Sequence, residues 1–135
     1  MKGNFEAISE KVEREKKIKT EVNKLRRMYR NTPIDAQRDL KKNLEGLIQD
    51  AAFIRITSDD VRENILEKGT SEKFIQGTQQ FDRERPAVKT YLSLTKQYAA
   101  IMKQLIDLLP DVQQEEKQSE LIDFMKTSAK VVSGR

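Results

Sequence analysis

Cysteine and histidine are both absent from this 135-residue chain. Without cysteine there is no disulfide framework and no thiolate nucleophile. Without histidine the commonest general base, the commonest metal ligand and the switch that titrates near neutral pH are all missing. Glycine occurs five times and proline three times, so few positions interrupt a helix. The longest apolar runs are four or five residues, far short of the about 20 that a membrane-crossing helix needs. Met1-Lys2-Gly3-Asn4-Phe5-Glu6 lacks the apolar stretch of a secretion signal, and a cytoplasmic setting is expected.

What is present is charge and helix-forming residues. Hydrophobic residues make up 36% of the chain and charged residues another 36%, above the usual charged share of about a quarter. So polar a chain builds a thin core, and burial between subunits is a reasonable expectation. The net charge of +4 is unevenly spread. Residues 1–32 hold ten Lys/Arg against five Asp/Glu, whereas residues 33–69 hold six against eight. The basic surplus therefore sits at the N-terminal end.

Residues 5–30 read as a first helix. Phe5, Ile8 and Val12, then Ile18, Val22, Leu25 and Tyr29, recur three and four residues apart. Asn31-Thr32-Pro33 ends it. A second helix is predicted from near Pro33, with Thr32 as N-cap, through Leu40, Leu44, Leu47, Ala51, Ile54, Val61 and Ile65 to Lys68. The phase is kept across Thr57-Ser58-Asp59-Asp60, which favours one long helix over two. Phe53 beside Ala51-Ala52 reads as core. Residues 70–85 read as a connector whose Phe74, Ile75 and Phe81 fold back onto the helices.

The third helix, Pro86 to Leu109, is the most regular segment. Val88, Tyr91, Thr95, Tyr98, Met102, Leu105 and Leu109 alternate three and four apart. Leu94, Ile101 and Leu108 flank this row on one side, and Leu92, Ala99 and Ile106 on the other. The apolar face is wider than one partner helix requires. An antiparallel helical hairpin with the second helix covers part of it. A neighbouring subunit covering the rest predicts oligomerisation through Val88, Tyr91, Leu94, Tyr98, Ile101, Met102, Leu105, Leu108 and Leu109. The alternative is that the first helix fills the gap within one chain. Residues 111–135 read as a polar tail in which Leu121, Ile122, Phe124 and Met125 make one or two amphipathic turns.

The fold class expected is thus all-α: a basic N-terminal helix over 1–32, a helical hairpin over 33–110 and a polar tail over 111–135. Lys16, Lys17, Lys19, Lys24, Arg26, Arg27 and Arg30 lie within fifteen residues and suit phosphate contacts, which rely on charge and counterion release. The reading without a partner is a solvated face paired with Glu13, Glu15 and Glu21. Asp59, Asp60 and Glu63 are better explained by the helix dipole than by a metal ion. No nucleophile, base and orienting group come together, so no enzymatic activity, metal or cofactor is expected.

Several strings add a resemblance. Gly46-Leu47-Ile48-Gln49-Asp50-Ala51-Ala52-Phe53-Ile54-Arg55, Glu72-Lys73-Phe74 with Gln76-Gly77, Arg83-Glu84-Arg85-Pro86-Ala87-Val88, and Lys103-Gln104-Leu105-Ile106-Asp107-Leu108-Leu109-Pro110 resemble stretches of phage terminase small subunits of Gram-positive phages and prophages. The likeness covers roughly residues 40–110, about half the chain. It implies a ring-like homo-oligomer in the bacterial host cell that binds double-stranded viral DNA and delivers it to the large subunit. The tail residues Leu121, Ile122, Phe124 and Met125 are then the candidate dock for that large subunit. No helix-turn-helix of the better-known members is recognisable, so the DNA-contacting surface stays open among the N-terminal helix, the outer hairpin face and the rim of a tunnel.

Overall fold

The computed structural model describes the backbone of residues 2–133 and the side chains of residues 6–133. Within them the chain forms α1 (Lys2–Arg27), a 3₁₀ turn (Pro33–Ala36), α2 (Arg38–Lys68), β1 (Ser71–Gln76), β2 (Gln79–Glu84), α3 (Pro86–Asp107) and α4 (Asp111–Val132). It is mostly helical, with one small two-stranded sheet. Among the described residues no helix is long and apolar enough to cross a membrane.

α1 ends at Arg27, short of the expected residue 30; it puts Ile18, Val22 and Leu25 against the rest of the molecule, and Tyr29 of the following turn continues that row, while Phe5 lies outside the described side chains and Ile8 and Val12 are exposed. Asn31, a residue that tolerates a left-handed backbone, has φ 64° and helps turn the chain after the helix. The second helix starts later than the sequence suggests. Pro33 opens only a short 3₁₀ turn, and the Thr32 hydroxyl donates to the Tyr29 carbonyl at 2.6 Å rather than capping a helix. From Arg38 α2 is continuous to Lys68, and Gly69 at φ 85° ends it.

α2 and α3 pack closely, helped by Ala51 and Ala52, which are fully buried and let the backbones approach. The larger apolar cluster joins Val22 and Leu25 of α1, Tyr29 of the turn after it, Leu44 and Ile48 of α2 and Tyr98, Met102, Leu105 and Ile106 of α3. Leu121 and Phe124 of α4 pack against it. A smaller cluster holds Ile65 of α2 with Val88 and Tyr91 of α3. Two buried hydroxyls fix the flanking helices onto α3. The Tyr29 hydroxyl donates to the Leu105 carbonyl, and the Tyr91 hydroxyl donates to Ser128 Oγ of α4 at 3.1 Å.

Three expectations are overturned. Residues 70–85 form a β-hairpin, not a loop folded onto the helices. Phe74 faces Phe81 across the strands, with ring centroids 5.3 Å apart, and Arg83 lies over the Phe74 ring while pairing with Glu72 at 2.7 Å. These cross-strand pairs satisfy the aromatics locally, which leaves Ile75 69% exposed. Gly77, at φ 62°, supplies the first central residue of a two-residue turn. Residues 111–132 are a full helix and not a polar tail: Leu121, Phe124, Ser128 and Val131 recur three and four apart and turn inward. Phe53 is 53% exposed, because the inward side of α2 is taken by Ala51 and Ala52, and the Arg14 guanidinium sits 5.8 Å from its ring.

Leu105 is fully buried where α1, α2 and α3 meet, so Leu105→Ala is expected to destabilise the fold by about 2–5 kcal/mol in urea unfolding. Burial raises the Tyr29 phenol well above its ordinary 10.0. Above that value the unfolded chain loses the proton while the folded chain retains it, so stability falls as pH rises. Tyr29→Phe is expected to give a flatter alkaline limb in thermal melts between pH 9 and 11, at the loss of about 1 kcal/mol at neutral pH.

Candidate nucleic-acid interface

The seven basic residues of α1 and its following turn divide by environment. Ile18, Val22, Leu25 and Tyr29 fix which side of α1 faces inward. At about 100° per residue, Lys16, Asn23 and Arg27 then lie on the outward side, with Lys24 and Lys17 beside them and Lys19 on the other flank. All of these cations are exposed. From Lys16 to Arg27 the rod spans about 16 Å at about 1.5 Å per residue. A duplex offers about one negative charge per 1.7 Å of axis, so phosphates outnumber the cations along that length.

Five of the seven, Lys17, Lys19, Lys24, Arg27 and Arg30, form no ion pair among the described residues. Lys16 makes a loose pair with Glu13 at 3.8 Å, both ends well exposed, which a competing phosphate can displace. Arg26 differs. Its guanidinium makes a forked pair with the Glu45 carboxylate of α2, Nε lying 2.9 and 3.1 Å from the two oxygens, and also donates to Asn23 Oδ1 at 3.4 Å. The Arg26 hydrogen bond is the main cause holding the Glu45 carboxyl below its usual range, and Gln49 adds a further donor at 3.0 Å. Arg26 therefore joins α1 to α2, and its charge is already neutralised.

Arg26, Arg27 and Arg30 also border a groove of about 530 Å³ between the end of α1, the 3₁₀ turn and the start of α2. Its floor includes Ile34, Leu44 and Ile48. Lys41 lines it too, paired with Asp35 at 3.0 Å. The groove thus carries two neutralised cation–carboxylate pairs and two cations, Arg27 and Arg30, without such a pair among the described residues.

The residues expected at a subunit interface are distributed differently. Val88, Tyr91, Tyr98, Met102, Leu105 and Leu109 are buried within the single chain, Leu94 and Ile101 are half-buried, and only Leu108 stays exposed, at 39%. The width of the α3 face is met mostly by α1, α2 and α4 of the same chain, so that width no longer argues for a neighbouring subunit. Of the expected large-subunit dock, Leu121, Phe124 and Met125 are half-buried, and Phe124 packs at 5.0 Å on Tyr98; Ile122 alone points outward.

Three arginines outside the expected set organise the fold. Arg55 lies 4.3 Å from the Phe124 ring and donates to the Tyr98 hydroxyl at 3.3 Å. Arg14 bridges α1 to Asp60 at 3.0 Å and donates to Thr57 at 2.8 Å. Arg85 donates to the Gly69 carbonyl at 2.8 Å and to Asn64 at 2.5 Å, closing the base of the β-hairpin. Apart from Asp59, which pairs with Arg55 one helical turn away at 3.5 Å, these partners are 16 or more positions away along the chain, beyond the reach of local spacing.

Since Glu45 masks Arg26, Glu45→Gln is expected to tighten duplex DNA binding and to steepen the logarithmic salt dependence by about one unit, as one further phosphate contact would. Fluorescence anisotropy over a salt series checks this. Unchanged affinity and slope would place Arg26 outside the contacting surface.

Against known proteins, no family model, no curated protein and no solved structure matches the chain, so the functional reading rests on the residues described above.

Proposed function

We propose that this chain is the small subunit of a phage genome-packaging terminase: a self-associating, DNA-binding protein that carries out no reaction itself and presents viral DNA to a large ATPase and nuclease subunit. The observation that carries the DNA part is the set of exposed cations on α1 and the turn after it, five of them without an ion pair among the described residues. The helix bearing most of them is locked to the core on its opposite side by Val22, Leu25 and Tyr29. A rigid rod with cations facing outward binds a phosphate backbone without paying the ordering entropy of a flexible basic arm. The terminase assignment itself is supported by the sequence strings over residues 46–55, 72–77, 83–88 and 103–110, which resemble that family.

The proposed partners change with the fold. Duplex DNA meets Lys16, Lys17, Lys19, Lys24, Arg27 and Arg30, with Arg26 held back by Glu45. The dock for the large subunit shrinks to the outward side of α4 around Ile122, since Leu121 and Phe124 are engaged with the core. A second reading, a helical adaptor without a nucleic-acid partner, draws on the two basic residues that do pair, Lys16 with Glu13 and Arg26 with Glu45.

The two readings separate in a salt titration of duplex DNA binding. With five or six phosphates contacted, affinity is expected to fall by about three orders of magnitude between 50 and 200 mM salt. Lys16→Glu combined with Lys24→Glu is expected to weaken binding at least about tenfold while leaving the melting temperature unchanged, because both side chains are exposed. A wild-type protein that retains no duplex at 50 mM salt makes the adaptor reading the correct one.

A further inference from the structure

The groove beside α1 has a complement on the same chain that its own molecule leaves unused. Over the apolar floor of Ile34, Leu44 and Ile48, Asp35 and Glu45 are each engaged by one cation, so Arg27 and Arg30 leave a surplus of two positive charges. Val112, in the first turn of α4, is 83% exposed, the most exposed large apolar side chain among the described residues. Asp111 and Glu115 lie on the same side of that turn and form no ion pair among the described residues. Their side of α4 faces away from the side on which Leu121, Phe124 and Ser128 pack inward. One apolar side chain with two carboxylates beside it thus matches an apolar floor below two arginines.

We propose that the first turn of α4 from a second copy of this chain seats in this groove, Val112 over the floor and Asp111 and Glu115 against Arg27 and Arg30. Val112 does not line the groove of its own molecule. The two features nevertheless lie at the same end of the helical body, since Lys24 and Arg27 of α1 and Met28 of the turn after it border a notch with Leu109, Gln113 and Glu116. Two copies meeting at that end place each knob at the other's groove, and a two-fold arrangement satisfies both contacts at once. The arrangement deepens the self-association part of the terminase reading, on which it rests, and shares Arg27 and Arg30 with the DNA part.

Sedimentation velocity of the full chain at about 50 mM salt, where surface charges are weakly screened, is expected to show a concentration-dependent dimer. D111K with E115K, and separately R27E with R30E, are each expected to raise the dimer dissociation constant at least about tenfold. Val112→Ser, which leaves every charge in place, is expected to weaken the dimer as well. Mixing the two charge-reversed proteins restores opposite charges at both contacts and is expected to restore the dimer. The far-ultraviolet spectrum and melting temperature of each variant establish that it is folded. A wild-type monomer at every concentration overturns the proposal, including one whose groove takes an acidic peptide from another protein. A dimer indifferent to all three variants overturns it too, as does a mixture that stays monomeric. Duplex binding by D111K with E115K, which alters none of the α1 cations, reports on the DNA reading separately.

Discussion

Everything in this molecule is arranged around the need to cover α3. Its apolar residues occupy more of its circumference than one neighbouring helix can bury. α2 covers the centre, with Ala51 and Ala52 allowing close approach, α4 packs along one flank, and α1, seated mainly on α2, joins the same apolar cluster through Val22 and Leu25. The Tyr29 hydroxyl on the Leu105 carbonyl and the Tyr91 hydroxyl on Ser128 register those flanking helices. A buried hydroxyl without a partner costs about 1–3 kcal/mol, so each bond also penalises any arrangement that slides its helix away.

Covering α3 determines the electrostatic surface. With Val22, Leu25 and Tyr29 committed to the core, the opposite side of α1 is obliged to face solvent, and the lysines and arginines there face solvent with it. Long-range pairing then modifies that surface. Glu45 of α2 quenches Arg26, and Asp35 quenches Lys41, so the groove between α1 and α2 is less basic than its residue types suggest. The cations that remain carry the DNA reading along α1 and the self-association reading at its end. Arg27 and Arg30 belong to both surfaces, which links the two proposed functions through two side chains.

The β-hairpin shows a different economy. Its strands project from the junction of α2 and α3 and satisfy themselves with cross-strand pairs, Phe74 with Phe81, Glu72 with Arg83 and Lys73 opposite Asp82. An isolated two-stranded sheet is marginal in water. The base is held by Arg85, which donates to Gly69 and Asn64, and by the Arg85 amide, which donates to the Thr70 carbonyl at 2.9 Å.

Sequence by itself determined what depends on neighbours a few positions apart. The periods of Val22, Leu25 and Tyr29 and of Val88 through Leu109 announced helices and their inward faces, and Gly69 and Pro86 marked their ends. The unbroken phase through Thr57-Ser58 announced one long α2. The hairpin was also legible in principle, since Gly77-Thr78 separates two six-residue runs with aromatics in register, but a reading guided by helical period passes over a period of two. Only the tertiary structure decided which surfaces stay free. The sparse apolar pattern of residues 111–132 becomes a helix because α3 is there to receive it, as packing and not propensity supplies most helical stability. Likewise, no local spacing reveals that Arg26 meets Glu45 nineteen residues away, or that the spare width of α3 is taken up by its own chain. Charge neutralisation and burial are properties of assembled neighbours, and those neighbours are brought together by the fold.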